Sequence, residues 1–150
     1  EEVLAAALEM KGDAARAEQV FTHAGCVACH TVKASDPVKG PFLGNIATIY
    51  KRRELAEAIL LPNKTIAQGF VTNVFTKKDG SVQMGFVTQE AADRVVMRDI
   101  AAQEVVLATA DITAREKSDR SLMPEGLMGG MNVQDLASLL EYLESLAAKK

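Results

Sequence analysis

The sequence predicts a mainly α fold that carries a small antiparallel β insertion, α+β overall. Three observations predict it. Apolar residues recur at helical spacing near both ends, at Ala14, Ala17, Val20, Phe21 and Ala24 and again at Val133, Leu136, Leu140 and Leu143. Between them the period shortens to two on either side of an Asp79-Gly80 turn. Both cysteines of the chain fall in one pentad, Cys26-Val27-Ala28-Cys29-His30.

The elements follow in order. The first ten residues, rich in Ala, Leu and Glu, form a short helix that Gly12 ends. Asp13 is the N-cap of a second helix that runs to about Ala24, where Gly25 breaks it. Residues 31–50 form a loop punctuated by Pro37, Gly40, Pro41 and Gly44. Arg52 to Leu61 form a helix with Leu55, Ala56, Ile59 and Leu60 on one side, and Pro62 stops it. From Phe70 to Leu107 the chain reads as about four strands in an antiparallel meander or partial barrel. Val71, Asn73 and Phe75 alternate with Thr72, Val74 and Thr76, and Val82, Met84 and Phe86 mark the returning run. Arg94–Arg98 and Glu104–Leu107 supply the other two strands, and residues 113–121 form a polar loop. Asn132 caps a last helix to about Ala147, with Tyr142 beside its apolar stripe. The expected organisation is a single domain over 1–150, with a helical core at 13–62 and 121–147 and a β-rich insertion at about 70–108.

Bulk properties narrow the function. The net charge of −3 argues against nucleic acid, which requires a basic face. No apolar run approaches the roughly 18 residues of a membrane-spanning helix. The first residue is not Met and no signal peptide is visible, so the chain reads as a processed or excised piece.

The pentad carries the chemistry. C-x-x-C-H is the attachment pattern for haem c: Cys26 and Cys29 add to two vinyl groups, and His30 falls under the iron as proximal ligand. Other readings are weaker. A thioredoxin-like pair belongs near a βαβ pattern, and here a helix precedes Cys26. A structural zinc takes four ligands, and His23, the remaining imidazole, lies too close in sequence to close a tetrahedron. A disulfide between residues three apart closes almost no loop. Attachment of haem c places the chain outside the cytoplasm, in the periplasm or an equivalent compartment, where two cysteines consumed by the haem leave no structural disulfide.

The sixth ligand decides what such a haem does. His23 is too near His30 along the chain to reach the opposite face. Six methionines remain. Met84 and Met97 fall in strands, where apolar side chains pack. Met123 precedes Pro124 in a late loop, and the proline restricts it to an extended shape. Met123 is the leading candidate and Met128 the reserve. A thioether opposite an imidazole raises the potential and suits electron transfer. An open or labile sixth site is the alternative, and would make the chain a haem enzyme or a gas or redox sensor. A third reading is an interaction module with structural haem.

Several runs together resemble class I c-type cytochromes: the helix ending at Phe21 with the pentad, then Gly40-Pro41-x-Leu43-Gly44, then a late Met123-Pro124 and a terminal helix. The haem-binding domain of the Planctomycetes–Verrucomicrobia type is the branch it is most similar to. The residues that carry this are Ala58-Ile59-Leu60-x-Pro62-Asn63, Ile66-Ala67-x-Gly69-Phe70, the stretch around Lys78-Asp79-Gly80 and Gly85-Phe86-Val87, and above all Ser121-Leu122-Met123-Pro124-Glu125-Gly126-Leu127. The resemblance implies one covalent haem c on Cys26 and Cys29, with His30 and Met123 as axial ligands. It implies that the Pro41 carbonyl orients His30, that Leu43 lies in the haem-binding loop, and that Phe21 packs near Tyr142. It also implies redox partner proteins, among them a fused or associated dehydrogenase. One departure is Ala17, where the family often has Gly. From its own chemistry, Arg53 or its neighbour Arg52 is the candidate partner of a haem propionate or an acidic protein, and Lys33 and Lys39 are solvated loop residues.

Overall fold

The computed structural model describes residues 1–149. It is mixed α+β, with a larger β part than a small insertion: four helices and a five-stranded antiparallel sheet. The chain divides into two compact units, Glu1–Thr65 with Pro124–Lys150, and Ile66–Met123.

The helical unit holds α1 (Glu2–Glu9), α2 (Ala14–His23), α3 (Arg52–Leu60) and α4 (Val133–Ala148). Asp13 caps α2, its carboxylate accepting from the Ala15 amide at 2.9 Å. Asn132 caps α4, and the Asp135 carboxylate accepts in return from the Asn132 amide at 3.0 Å. α4 is the hub of the unit. Leu136, Leu139, Leu140 and Leu143 are all buried along it, and α1, α2 and α3 pack around it. Phe21 of α2 meets Tyr142 of α4 with ring centroids 5.3 Å apart. The chain runs close against α4 at Gly12. A Cβ on Gly12 would stand 2.6 Å from the Ala137 carbonyl oxygen, and the next amide, of Asp13, donates to Ser138 Oγ at 2.9 Å. The turn between α1 and α2 is thus bolted to the fully buried Ser138.

The β unit holds β1 (Asn73–Lys77), β2 (Val82–Glu90), β3 (Arg94–Arg98), β4 (Glu104–Ala108) and β5 (Ile112–Lys117), in the order β4-β3-β2-β1-β5. β5 corrects the polar loop expected at 113–121. Consecutive strands β4 and β5 sit on opposite edges. A flat sheet would hold those edges about 19 Å apart, four spacings of about 4.8 Å. The 3-10 turn Thr109–Asp111 that joins them rises only about 2 Å per residue. The sheet must therefore curl. β2 supplies the bend: it pairs with β1 up to Gly85, then with β3 from Phe86, with a bulge between Val87 and Gln89. Gly85 is required there, because a Cβ would lie against the Arg98 carbonyl oxygen and Met97 Cε. Phe75, Val95, Met97 and Leu107 fill the inside of the curl. Met97 packs as expected of a strand methionine, but Met84 does not: it and Val82 lie on the outer face, 49% and 55% exposed.

Candidate haem site

The pentad is placed by a helix end. α2 stops at His23, and Gly25 turns the chain with φ +79°, a conformation that costs glycine little. A 3-10 turn, Cys26–Ala28, follows, and the His30 amide donates to the Cys26 carbonyl at 2.9 Å. Cys26 and Cys29 are both half-buried free thiols. Burial pushes the Cys26 thiol above its ordinary range, and the neighbouring Cys29 adds to the effect against an opposing backbone hydrogen bond.

His30 is held from one side. Its Nδ1 donates to the Pro41 carbonyl at 2.7 Å, which leaves Nε2 as the nitrogen open to a ligand. Burial lowers its pKa and outweighs the opposing hydrogen bond, which favours the neutral ring that an iron ligand needs. The loop after it is laced to the pentad. The Gly40 amide donates to the Cys29 carbonyl at 2.7 Å, and the Leu43 amide to the Thr31 carbonyl at 2.9 Å. A Cβ on Gly40 would press on that Cys29 carbonyl at 2.9 Å, so glycine there lets the loop lie flat against the pentad. Thr31 Oγ1, next to His30, is buried without a partner in the polypeptide, a donor for a bound group or water.

These residues fit a haem on the chemistry of their donors: two unpaired thiols, then a neutral imidazole with one nitrogen tied back and the other open. A zinc reading does not fit. Among the described residues no three His, Cys, Asp or Glu side chains come together as a metal site. The profile described as Cytochrome c matches residues 14–97, a run that contains the pentad and the Pro41 loop. The chain belongs to the cytochrome c family. That makes it a haem-binding electron-transfer domain with covalently held haem c and redox partners. No curated protein gives a significant match. No helix among the described residues is long and apolar enough to cross a membrane.

The other sequence candidates divide. Met123 is half-buried and ends the β unit, its amide donating to Ser121 Oγ at 3.1 Å. Met128 lines an apolar cleft of about 450 Å³ in the helical unit, together with Val3, Ile59, Leu60 and Met131; His30 is not among its walls. Arg52 is corrected. Its guanidinium is tied to Glu144 at 2.6 Å and to the carbonyls of Met10 and Ala137 at 3.0 and 3.3 Å, so it joins α3 to α4 and to the end of α1. Arg53 is exposed and pairs with Glu57 at 3.5 Å, beside Lys64 at 2.8 Å from the same carboxylate. Lys33 is exposed, and Lys39 lies half-buried with Nζ 3.5 Å from the Ala28 carbonyl. Sequence reasoning missed the Asn63–Glu125 hydrogen bond, 2.9 Å long across 62 residues, and no local signal announces it.

Proposed function

We propose that the chain is a one-electron carrier with a single haem c, joined to Cys26 and Cys29 and ligated by His30 and Met123, of the Planctomycetes–Verrucomicrobia type. The observation that carries it is the orientation of His30: Nδ1 is committed to the Pro41 carbonyl, so Nε2 is the available donor. When bound, the haem iron supplies reversible one-electron chemistry, and a thioether ligand favours its reduced state. Cys26 and Cys29 would fix the porphyrin edge, and His30 would hold its orientation through the Pro41 loop, in which Leu43 is a further haem-binding candidate. Met123 is supported by its place before Pro124 and by the engagement of Met128 in a separate cleft. Arg53 is a candidate for pairing with a propionate or an acidic partner, as an exposed cation can steer one. The domain works in the periplasm or an equivalent compartment. Its electrons come from an associated or fused dehydrogenase and go to a redox acceptor.

The test is maturation in a host that attaches haem c. Intact mass should show one porphyrin added, resistant to acid–acetone extraction, and Cys26→Ala with Cys29→Ala should abolish it. The oxidised protein should show the far-red charge-transfer band of thioether-ligated iron, and Met123→Ala should remove it. A high-spin ferric spectrum in the parent, shifting with cyanide or peroxide, would instead indicate an enzyme or sensor with an open sixth site.

A further inference from the structure

We propose that Met123 is held for the iron by a two-sided clamp: the Glu125–Asn63 hydrogen bond after it and the Ser118 amide to Thr72 carbonyl bond before it. This rests on the His30/Met123 ligation above and adds the residues that position the methionine.

Met123 is the last residue of the β unit, and Pro124 is the first of the returning helical segment. Each side has an anchor within its own unit. In the β unit the Ser118 amide donates to the Thr72 carbonyl at 2.8 Å, just after β5 ends at Lys117. In the helical unit Asn63 Nδ2, in the segment after α3, donates to Glu125 Oε1 at 2.9 Å. Between the anchors the strap is stiffened from inside. The Arg120 amide donates to Ser118 Oγ at 3.1 Å, the Met123 amide donates to Ser121 Oγ at 3.1 Å, and Pro124 fixes its own φ. Past Glu125, Gly126 takes φ +80° and turns the chain away.

The physical consequence concerns how often the thioether leaves. Each anchor removes conformations from the chain on its own side of Met123, so an iron–sulfur bond costs less ordering entropy. Release either end and the detached population grows, which an added ligand can capture. The clamp also gives a physical role to two runs that donate nothing to the iron. Leu60-x-Pro62-Asn63 and Pro124-Glu125-Gly126 are joined to each other through Asn63 and Glu125.

The test uses the full haem-loaded protein, with imidazole as competing ligand for the oxidised form and the far-red band as the reporter of Met123. Glu125→Ala removes the acceptor, and Ser118→Pro removes the amide donor. Glu125→Gln keeps an acceptor oxygen, and Ser118→Thr keeps both the amide and the hydroxyl. Apparent imidazole affinity should rise about threefold in Glu125→Ala and about fivefold in Ser118→Pro, what one lost hydrogen bond of ordinary strength gives. The midpoint potential should fall in both, and the two conservative variants should stay within about twofold of the parent. Unchanged imidazole affinity and potential in Glu125→Ala would overturn the clamp, even where Ser118→Pro fails to fold. Glu125→Gln moving as far as Glu125→Ala would overturn it too. A parent without the far-red band, or a band that survives Met123→Ala, would overturn the ligation itself, and the clamp with it.

Discussion

Replacing Arg52 by Met separates the structural role of that residue from a redox one. Methionine keeps most of the apolar stem and removes only the guanidinium. Five partners are then stranded: Glu144 at 2.6 Å, Met10 O at 3.0 Å, Ala137 O at 3.3 Å and, more weakly, Ala7 O at 3.5 Å and Glu141 at 3.7 Å. Their costs differ. Glu144 is 38% exposed and regains water, so its pair contributes about 0.5–1 kcal/mol. The Met10 carbonyl, at the end of α1, has no helical donor replacing the arginine, and its loss costs about 1 kcal/mol. Ala137 lies inside α4 and Ala7 inside α1, and both residues are fully buried, so together their carbonyls lose about another 1 kcal/mol. The sum is about 2.5–3 kcal/mol. With a urea slope of about 2 kcal/mol per molar, the unfolding midpoint should fall by about 1–1.5 M. The assay is urea titration of the haem-loaded protein by far-ultraviolet circular dichroism, paired with a redox titration. A midpoint that moves by less than about 0.3 M would refute the reasoning, as would a shifted potential with stability intact.

Gly85→Ala should destabilise the β unit by about 1–3 kcal/mol, because the new methyl meets the Arg98 backbone; hydrogen exchange of β2 and β3 amides should accelerate first. Gly40→Ala presses on the Cys29 carbonyl and should lower the yield of covalent haem and cost about 1 kcal/mol, read by haem content and by urea unfolding. The Glu90 carboxyl is held below its ordinary value of 4.5, chiefly by its hydrogen bond to Arg115. Its folded value lies below the unfolded one, so the pair adds stability above about pH 4.5 and loses it as pH falls through the folded value. Carboxyl NMR should show Glu90 titrating low in the parent and near its ordinary value in Arg115→Ala.

What the sequence could disclose was what its neighbours along the chain determine. α4 was legible because its stripe and the Asn132 cap are contiguous, and α2 because Asp13 and Gly25 bracket it. The pentad was legible because its chemistry needs no partner from elsewhere. β5 was not legible. Ile112-Thr113-Ala114-Arg115-Glu116-Lys117 has one half-buried residue, and its strand character comes from pairing with β1 and from Arg115 lying 5.1 Å over the Phe75 ring. Arg52 read as one of three cations in a row, and its role emerges only when α1 and α4 arrive at its guanidinium. Met84 read as core because alternation gives a strand two faces without saying which is buried; Gln83 and Gly85 take the inner one.

The β1–β5 ladder has a kinetic meaning. Successive hairpins from β1 to β4 can zip through short turns, but β5 must find a partner at the far end of the unit, Asn73 opposite Lys117. Loop-closure entropy makes that rung the slowest to form. Refolding therefore runs outward from the Asp79-Gly80 turn, and the strand that leads toward Met123 is laid down last.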